Sequence, residues 1–102
     1  MAVVEFSVVP IGTGSPSVGE WVVAVERMVR ESGIKNQLTP MSTILEGGVT
    51  EILDLITKVH EHTLSSGVQR VITSIKIDDR RDKPLTMEGK VRRVEDGLKR
   101  SG

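Results

Sequence analysis

The chain has 102 residues, with fourteen Lys and Arg set against fourteen Asp and Glu, 37% apolar residues, 2% aromatic residues and no cysteine. Length alone predicts one domain, residues 1–102, with a modest core built from Val, Ile, Leu and Met; self-association is expected to supplement so thin a core. Balanced charge, a single Trp, a single Phe and no Tyr exclude the basic field and stacking platforms of a nucleic-acid binder. The missing cysteines exclude disulfides, thiolate catalysis and zinc–sulfur centres, and they suit a reducing compartment. The first residues show neither a basic leader nor a cleavage site. No apolar run nears the roughly 20 residues of a membrane span. No membrane partner is expected, and the cytoplasm is the expected location.

Val3 to Ile11 is β-branched with polar interruptions at Glu5 and Ser7, and reads as a strand. Gly12-Thr13-Gly14-Ser15-Pro16 breaks it. Ser17 and Glu20 have capping-box spacing, and Val18, Val22, Val25, Met28 and Val29 follow at helical intervals. Ser32-Gly33 stops that helix. Ile34 to Thr39 predicts a second strand, ended by Pro40, and Met41 to Leu45 a third. After a Glu46-Gly47-Gly48 turn, Thr50 is the expected cap of a helix carrying Ile52, Leu55, Ile56 and Val59. Ser66-Gly67 ends it, and Val68 to Ile77 predicts the longest strand. A charged loop, Asp78 to Lys83, leads to Thr86, which is placed to cap a last helix with Met87, Val91, Val94 and Leu98 at heptad-like spacing.

The order is β-α-β-β-α-β-α. Glu31-Ser32-Gly33-Ile34-Lys35 matches Ser65-Ser66-Gly67-Val68-Gln69, which marks two similar halves. The fold expected is α+β, a ferredoxin-like βαββαβ with a four-stranded antiparallel sheet and an extra C-terminal helix. The two main helices then share one face. The other face presents Val3, Glu5, Ser7 and Val9 from the first strand beside Arg70, Ile72, Ser74, Lys76 and Asp78 from the last. That mixture suits a dimer interface, or a polar small-molecule pocket closed by another subunit.

Few motifs carry chemistry. The Gly12–Ser17 turn precedes a helix, and exposed amides there attract anions; Thr13, Gly14, Ser15 and Ser17 are its candidate anion-binding residues. Its spacing matches neither a dinucleotide fingerprint nor a Walker loop, so a structural turn is the simpler reading. His60 and His62 stand two apart on a helix and do not face one another, so they read as solvated and no metal site is expected. The basic residues within Asp78–Lys83 neutralise the carboxylates a hard cation needs; a solvated loop with internal ion pairs is expected. Glu46 either favours the helix that follows or accepts from a ligand amine. No nucleophile–histidine–acid set and no acid–base carboxylate pair can be assembled, and neither enzyme activity nor a cofactor is expected.

Three segments together resemble a known family. Ser7-Val8-Val9-Pro10-Ile11-Gly12-Thr13-Gly14, Pro40-Met41-Ser42-Thr43-Ile44-Leu45-Glu46-Gly47 and Ile75-Lys76-Ile77-Asp78-Asp79-Arg80-Arg81-Asp82-Lys83 are similar to the small thiamine-binding proteins, relatives of the YkoF-like binders of thiamine and hydroxymethylpyrimidine. The resemblance runs from about Val3 to Leu98. It implies a ferredoxin-like fold, homodimers or homotetramers, and non-catalytic binding of thiamine or its pyrimidine part. Carried over by position, it implies Ser7, Thr43, Glu46, Lys76 and Asp78 as ligand-binding residues. A carboxylate can engage the amino group and ring nitrogen of an aminopyrimidine in a charge-assisted pair. The alternative is a ferredoxin-like interaction or regulatory module whose open face serves only assembly.

Overall fold

A computed structural model describes residues 1–14 and 18–101. The elements are β1 (Ala2–Ile11), α1 (Gly19–Glu31), β2 (Lys35–Leu38), β3 (Thr43–Gly47), α2 (Val49–Ser65), β4 (Arg70–Asp79) and α3 (Met87–Ser101). The four strands form one antiparallel sheet in the order β2-β3-β1-β4. This is the ferredoxin-like arrangement, with each βαβ half placing its second strand beyond a neighbour rather than beside the first.

Alternation along β1 divides the sheet into two faces. Val4, Phe6 and Val8 are buried against α1 and α2, where Val25, Val29, Leu45, Ile52, Ile56 and Val59 complete the core. Val3, Glu5, Ser7 and Val9 occupy the opposite face. The register of β1 on β4 pairs Glu5 with Lys76, Ser7 with Ser74 and Val9 with Ile72, so the expected open-face neighbours do meet.

Several element ends differ from the sequence expectation, each for a tertiary reason. β4 begins at Arg70 rather than Val68 and runs on to Asp79, because it pairs with the whole of β1 from Ala2↔Asp79 to Ile11↔Arg70. β3 begins at Thr43 because Thr39 and Ser42 tie the hairpin: the Thr39 amide and hydroxyl both donate to the Ser42 carbonyl, at 2.9 and 2.8 Å. It then extends through Glu46 and Gly47, which face Val3 and Ala2. Thr50 is not the cap of α2; the helix follows directly on Gly48, which has extended backbone and supplies the first accepting carbonyl. Ser17, the expected cap of α1, lies outside the described residues. Thr86 does cap α3, accepting from the Gly89 amide at 3.0 Å. Gly33, at φ +76°, turns the chain out of α1 in a conformation that side chains with a Cβ resist.

α3 lies on the opposite face of the sheet from α1 and α2. Lys35, Glu46, Val3 and Asp78 stand in one row across the open face. The first turns of α3 bond to three of them: the Met87 amide to Glu46, Glu88 to Lys35, and Lys90 to Asp78. Met87 is buried there, and every residue from Glu88 to Arg100 is exposed. The helix is therefore anchored at its start and exposed beyond it.

Candidate functional site

The hollow regions of the molecule follow from a mismatch in strand length. β1 has ten residues and β3 five. Their ladder ends at Phe6↔Thr43, while the ladder of β1 with β4 continues to Ile11↔Arg70. Beyond Thr43 the β2–β3 turn swings away instead of pairing with Ser7 to Ile11. The space left between that turn, the second half of β1 and α1 is a cavity of about 310 Å³. Apolar walls come from Phe6, Val8, Val22, Val25, Leu38 and Met41. The polar residues along its lining are Ser7, Glu26, Thr39, Ser42 and Thr43. A more open groove of about 530 Å³ adjoins it along α1, sharing Val22, Glu26 and Leu38 with it and adding Arg27, Arg30 and Glu31.

Glu26 is the residue sequence reading missed. It is 7% exposed. Its Oε1 accepts a hydrogen bond from the Thr43 hydroxyl, which is itself buried. Its Oε2 is buried and, among the described residues, has no hydrogen-bond partner. The signal was present in the sequence. Val25 and Val29 mark the inward stripe of α1, and position 26 is buried beside them, so a carboxylate there breaks the apolar pattern.

The five residues implied by resemblance do not form one cluster. Thr43 and Ser7 line the cavity under α1. Ser7 also lines a groove of about 280 Å³ on the open face, together with Glu5, Ser42, Ser74 and Lys76. In that groove the Ser42 hydroxyl donates to Glu5 at 3.0 Å. Glu46 and Asp78 stand at the far end of the sheet, under α3. Glu46 is buried and both its oxygens are engaged: Oε1 by the Met87 amide at 2.7 Å, and Oε2 by Lys35 at 3.2 Å. Asp78 is ion-paired with Lys90.

Lys35 bridges two carboxylates, reaching Glu88 at 2.7 Å as well as Glu46. The Glu88 hydrogen bond, ahead of Glu46, raises the Lys35 ammonium above its ordinary range; the same bond lowers the Glu88 carboxyl. The 78–83 loop holds internal ion pairs as expected, Arg80 with Asp82 and Arg81 with Asp79. Arg80 draws the Asp82 carboxyl down to about 2. His60 differs from the solvated reading: it is half-buried, and its Nδ1 lies 2.7 Å from the Thr73 hydroxyl on β4. Of the glycine-rich turn, Thr13 and Gly14 are described, Gly14 with φ +81°, while Ser15 and Ser17 lie outside the described residues. No group of three or more His, Asp or Glu among the described residues is placed to hold a metal ion. No described helix is long and apolar enough to cross a membrane.

Residues 4–95 match the thiamine-binding protein family. The chain belongs to that family. It is 42% identical over 98 residues to the UPF0045 protein YqgV of Bacillus subtilis, covering 92% of this chain and 94% of the relative. Its structure superposes on that of protein MJ1052 from Methanocaldococcus jannaschii with a TM-score of 0.85 and 34% identity, covering 92% of this chain and 95% of the other. A DUF77 domain from Bacillus cereus gives a TM-score of 0.79 at 32% identity, covering 88% and 86%. Among the described residues, the α1–β1–hairpin cavity has mainly apolar walls with a few polar groups, the mixture of a small-molecule site.

Proposed function

We propose that this thiamine-binding family member is a non-catalytic binder of thiamine or a related pyrimidine, acting in the cytoplasm as a homo-oligomer. The observation that carries this reading is the cavity of about 310 Å³, at the small end of the roughly 300–1,000 Å³ of ligand sites. A flat heteroaromatic ring suits its apolar walls, with Val22, Leu38 and Met41 offering contact surface and Ser7 and Thr43 among the polar lining. The open-face groove at Ser7 and Lys76 is the second place a polar part of such a ligand would lie. Glu46 and Asp78 act through α3, whose start they hold.

The alternative role, assembly, fits a different part of the molecule and is compatible with the first. Val91, Val94 and Leu98 form a stripe on α3 that is 57–65% exposed, and Val9 and Ile72, paired on the open face, are also exposed. A second copy of the chain is the proposed occupant of that surface.

Titration calorimetry and thermal unfolding with thiamine and with hydroxymethylpyrimidine test the binding reading. Ligand at a hundred times its dissociation constant should add about 2.7 kcal/mol of stability. Absence of both heat and thermal shift at millimolar ligand overturns it.

A further inference from the structure

We propose that Glu26 is the recognition residue of the cavity under α1. It selects flat ring ligands that present an N–H donor edge, an amino group beside a ring nitrogen or an amidinium, over their oxo counterparts. This rests on reading that cavity as the ligand site.

A carboxyl group on the inward stripe of a helix gives up its water, which is unfavourable unless every acceptor finds a donor. Thr63, the buried hydroxyl of α2, is satisfied by its own helix, donating to the Val59 carbonyl at 2.9 Å. Among the described residues Glu26 is only half satisfied, since Thr43 serves Oε1 and no group serves Oε2. The walls offer no obvious relief. The Thr39 hydroxyl donates to the Ser42 carbonyl, the Ser42 hydroxyl to Glu5, and the Thr43 hydroxyl to Glu26 itself. Arg30, one helical turn on, is exposed and lines the outer groove. Among the described residues no side chain supplies Oε2 with a donor, which leaves that role to what enters the cavity.

The chemistry of that donor is constrained from both sides. An ionised carboxylate only accepts, so the matching ligand edge must donate. The surrounding walls are largely apolar, so the rest of the ligand must be flat and apolar enough to displace water there. The last torsion of a glutamate is soft, so the carboxyl can exchange which oxygen takes the Thr43 hydroxyl as a ligand arrives. An aminopyrimidine protonated on the ring nitrogen beside its amino group has this character, with two donors side by side; its 4-oxo counterpart keeps one ring N–H and sets a carbonyl beside it against the carboxylate.

The test is a binding panel by calorimetry on the intact protein and on Glu26→Gln. The probes are thiamine, 4-amino-5-hydroxymethyl-2-methylpyrimidine, the 4-oxo counterpart of each, and benzamidinium. The wild type should prefer each amino probe to its oxo counterpart by at least about tenfold. Glu26→Gln offers an amide N–H in the same place and should erase or reverse that preference, which mere loosening of the fold would not do. The amino-to-oxo ratio on wild type needs no variant, so the proposal stays testable should Glu26→Gln fold poorly. Thiamine binding with equal amino and oxo affinities, or unchanged by Glu26→Gln, overturns the role of Glu26 and leaves the proposed function standing. Failure of thiamine and the pyrimidine with Glu26-dependent capture of benzamidinium does the reverse. Failure of every amino probe overturns both.

Discussion

α2 and α3 carry the same kind of pattern and meet opposite fates. Ile52, Leu55, Ile56 and Val59 recur along α2 and are all buried, packed on Val4, Phe6 and Leu45. Met87, Val91, Val94 and Leu98 recur along α3, and only Met87 is buried. Periodicity therefore identifies an amphipathic helix, but it does not say what covers the apolar side. For α2 the cover is the sheet of its own chain. For α3 the chain supplies three polar tethers at the first turns, and the apolar stripe beyond them is exposed.

The largest effect should come from the covered side. Phe6 is 1% exposed at the centre of the sheet, and Phe6→Ala should cost about 3–5 kcal/mol, lowering Tm by more than about 10 °C. Denaturant and thermal unfolding at one fixed protein concentration measure it. A loss below about 1 kcal/mol would mean that the core under α1 and α2 is looser than its burial indicates.

The next effect separates the two helices. Val94→Asp puts a charge in the middle of the α3 stripe. In dilute solution it should change the stability of the monomer by no more than about 0.5 kcal/mol, as at an ordinary surface site. At higher concentration it should lower the oligomer mass seen by sedimentation or light scattering. A large loss of monomer stability with unchanged mass would place the stripe against its own chain and end the contrast with α2.

The ferredoxin-like order was legible because Val-rich strands, glycine stops and helical stripes alternate in one consistent sequence. Strand ends were less legible. β4 borrows its length from β1, and β3 loses its start to the Thr39–Ser42 turn; both are set by partners distant in sequence. The site was legible only in part. Ser7 and Thr43 reach the cavity, yet Glu26, whose Oε2 is unpartnered among the described residues, lies on α1 among valines that carry the helical pattern. A polar residue at an inward position of an otherwise apolar stripe was the available signal. Glu46 shows the converse: a carboxylate read for the helix that follows it, or for a ligand, is bonded to the start of α3, forty-one residues on.

The smallest effect concerns the exposed ion pairs on the uncovered side. Asp82, Asp79 and Glu88 all have folded-state carboxyls below their ordinary values, through Arg80, Arg81 and Lys35 respectively. A carboxyl lowered by folding contributes stability that is fully present above its unfolded value. That contribution fades as pH falls, here from the ordinary 3.8 of Asp82 to about 2. Lys35 runs the other way: its raised value contributes below the ordinary 10.5, and the contribution is lost as pH climbs past the folded value. All these groups are solvent-accessible, so salt should screen them and the slopes should be shallow. Asp82→Asn should flatten part of the acid slope in urea unfolding followed from pH 5 to pH 2, while leaving pH 7 stability within about 0.5 kcal/mol of wild type. An unchanged acid slope would assign the acid sensitivity to other carboxylates.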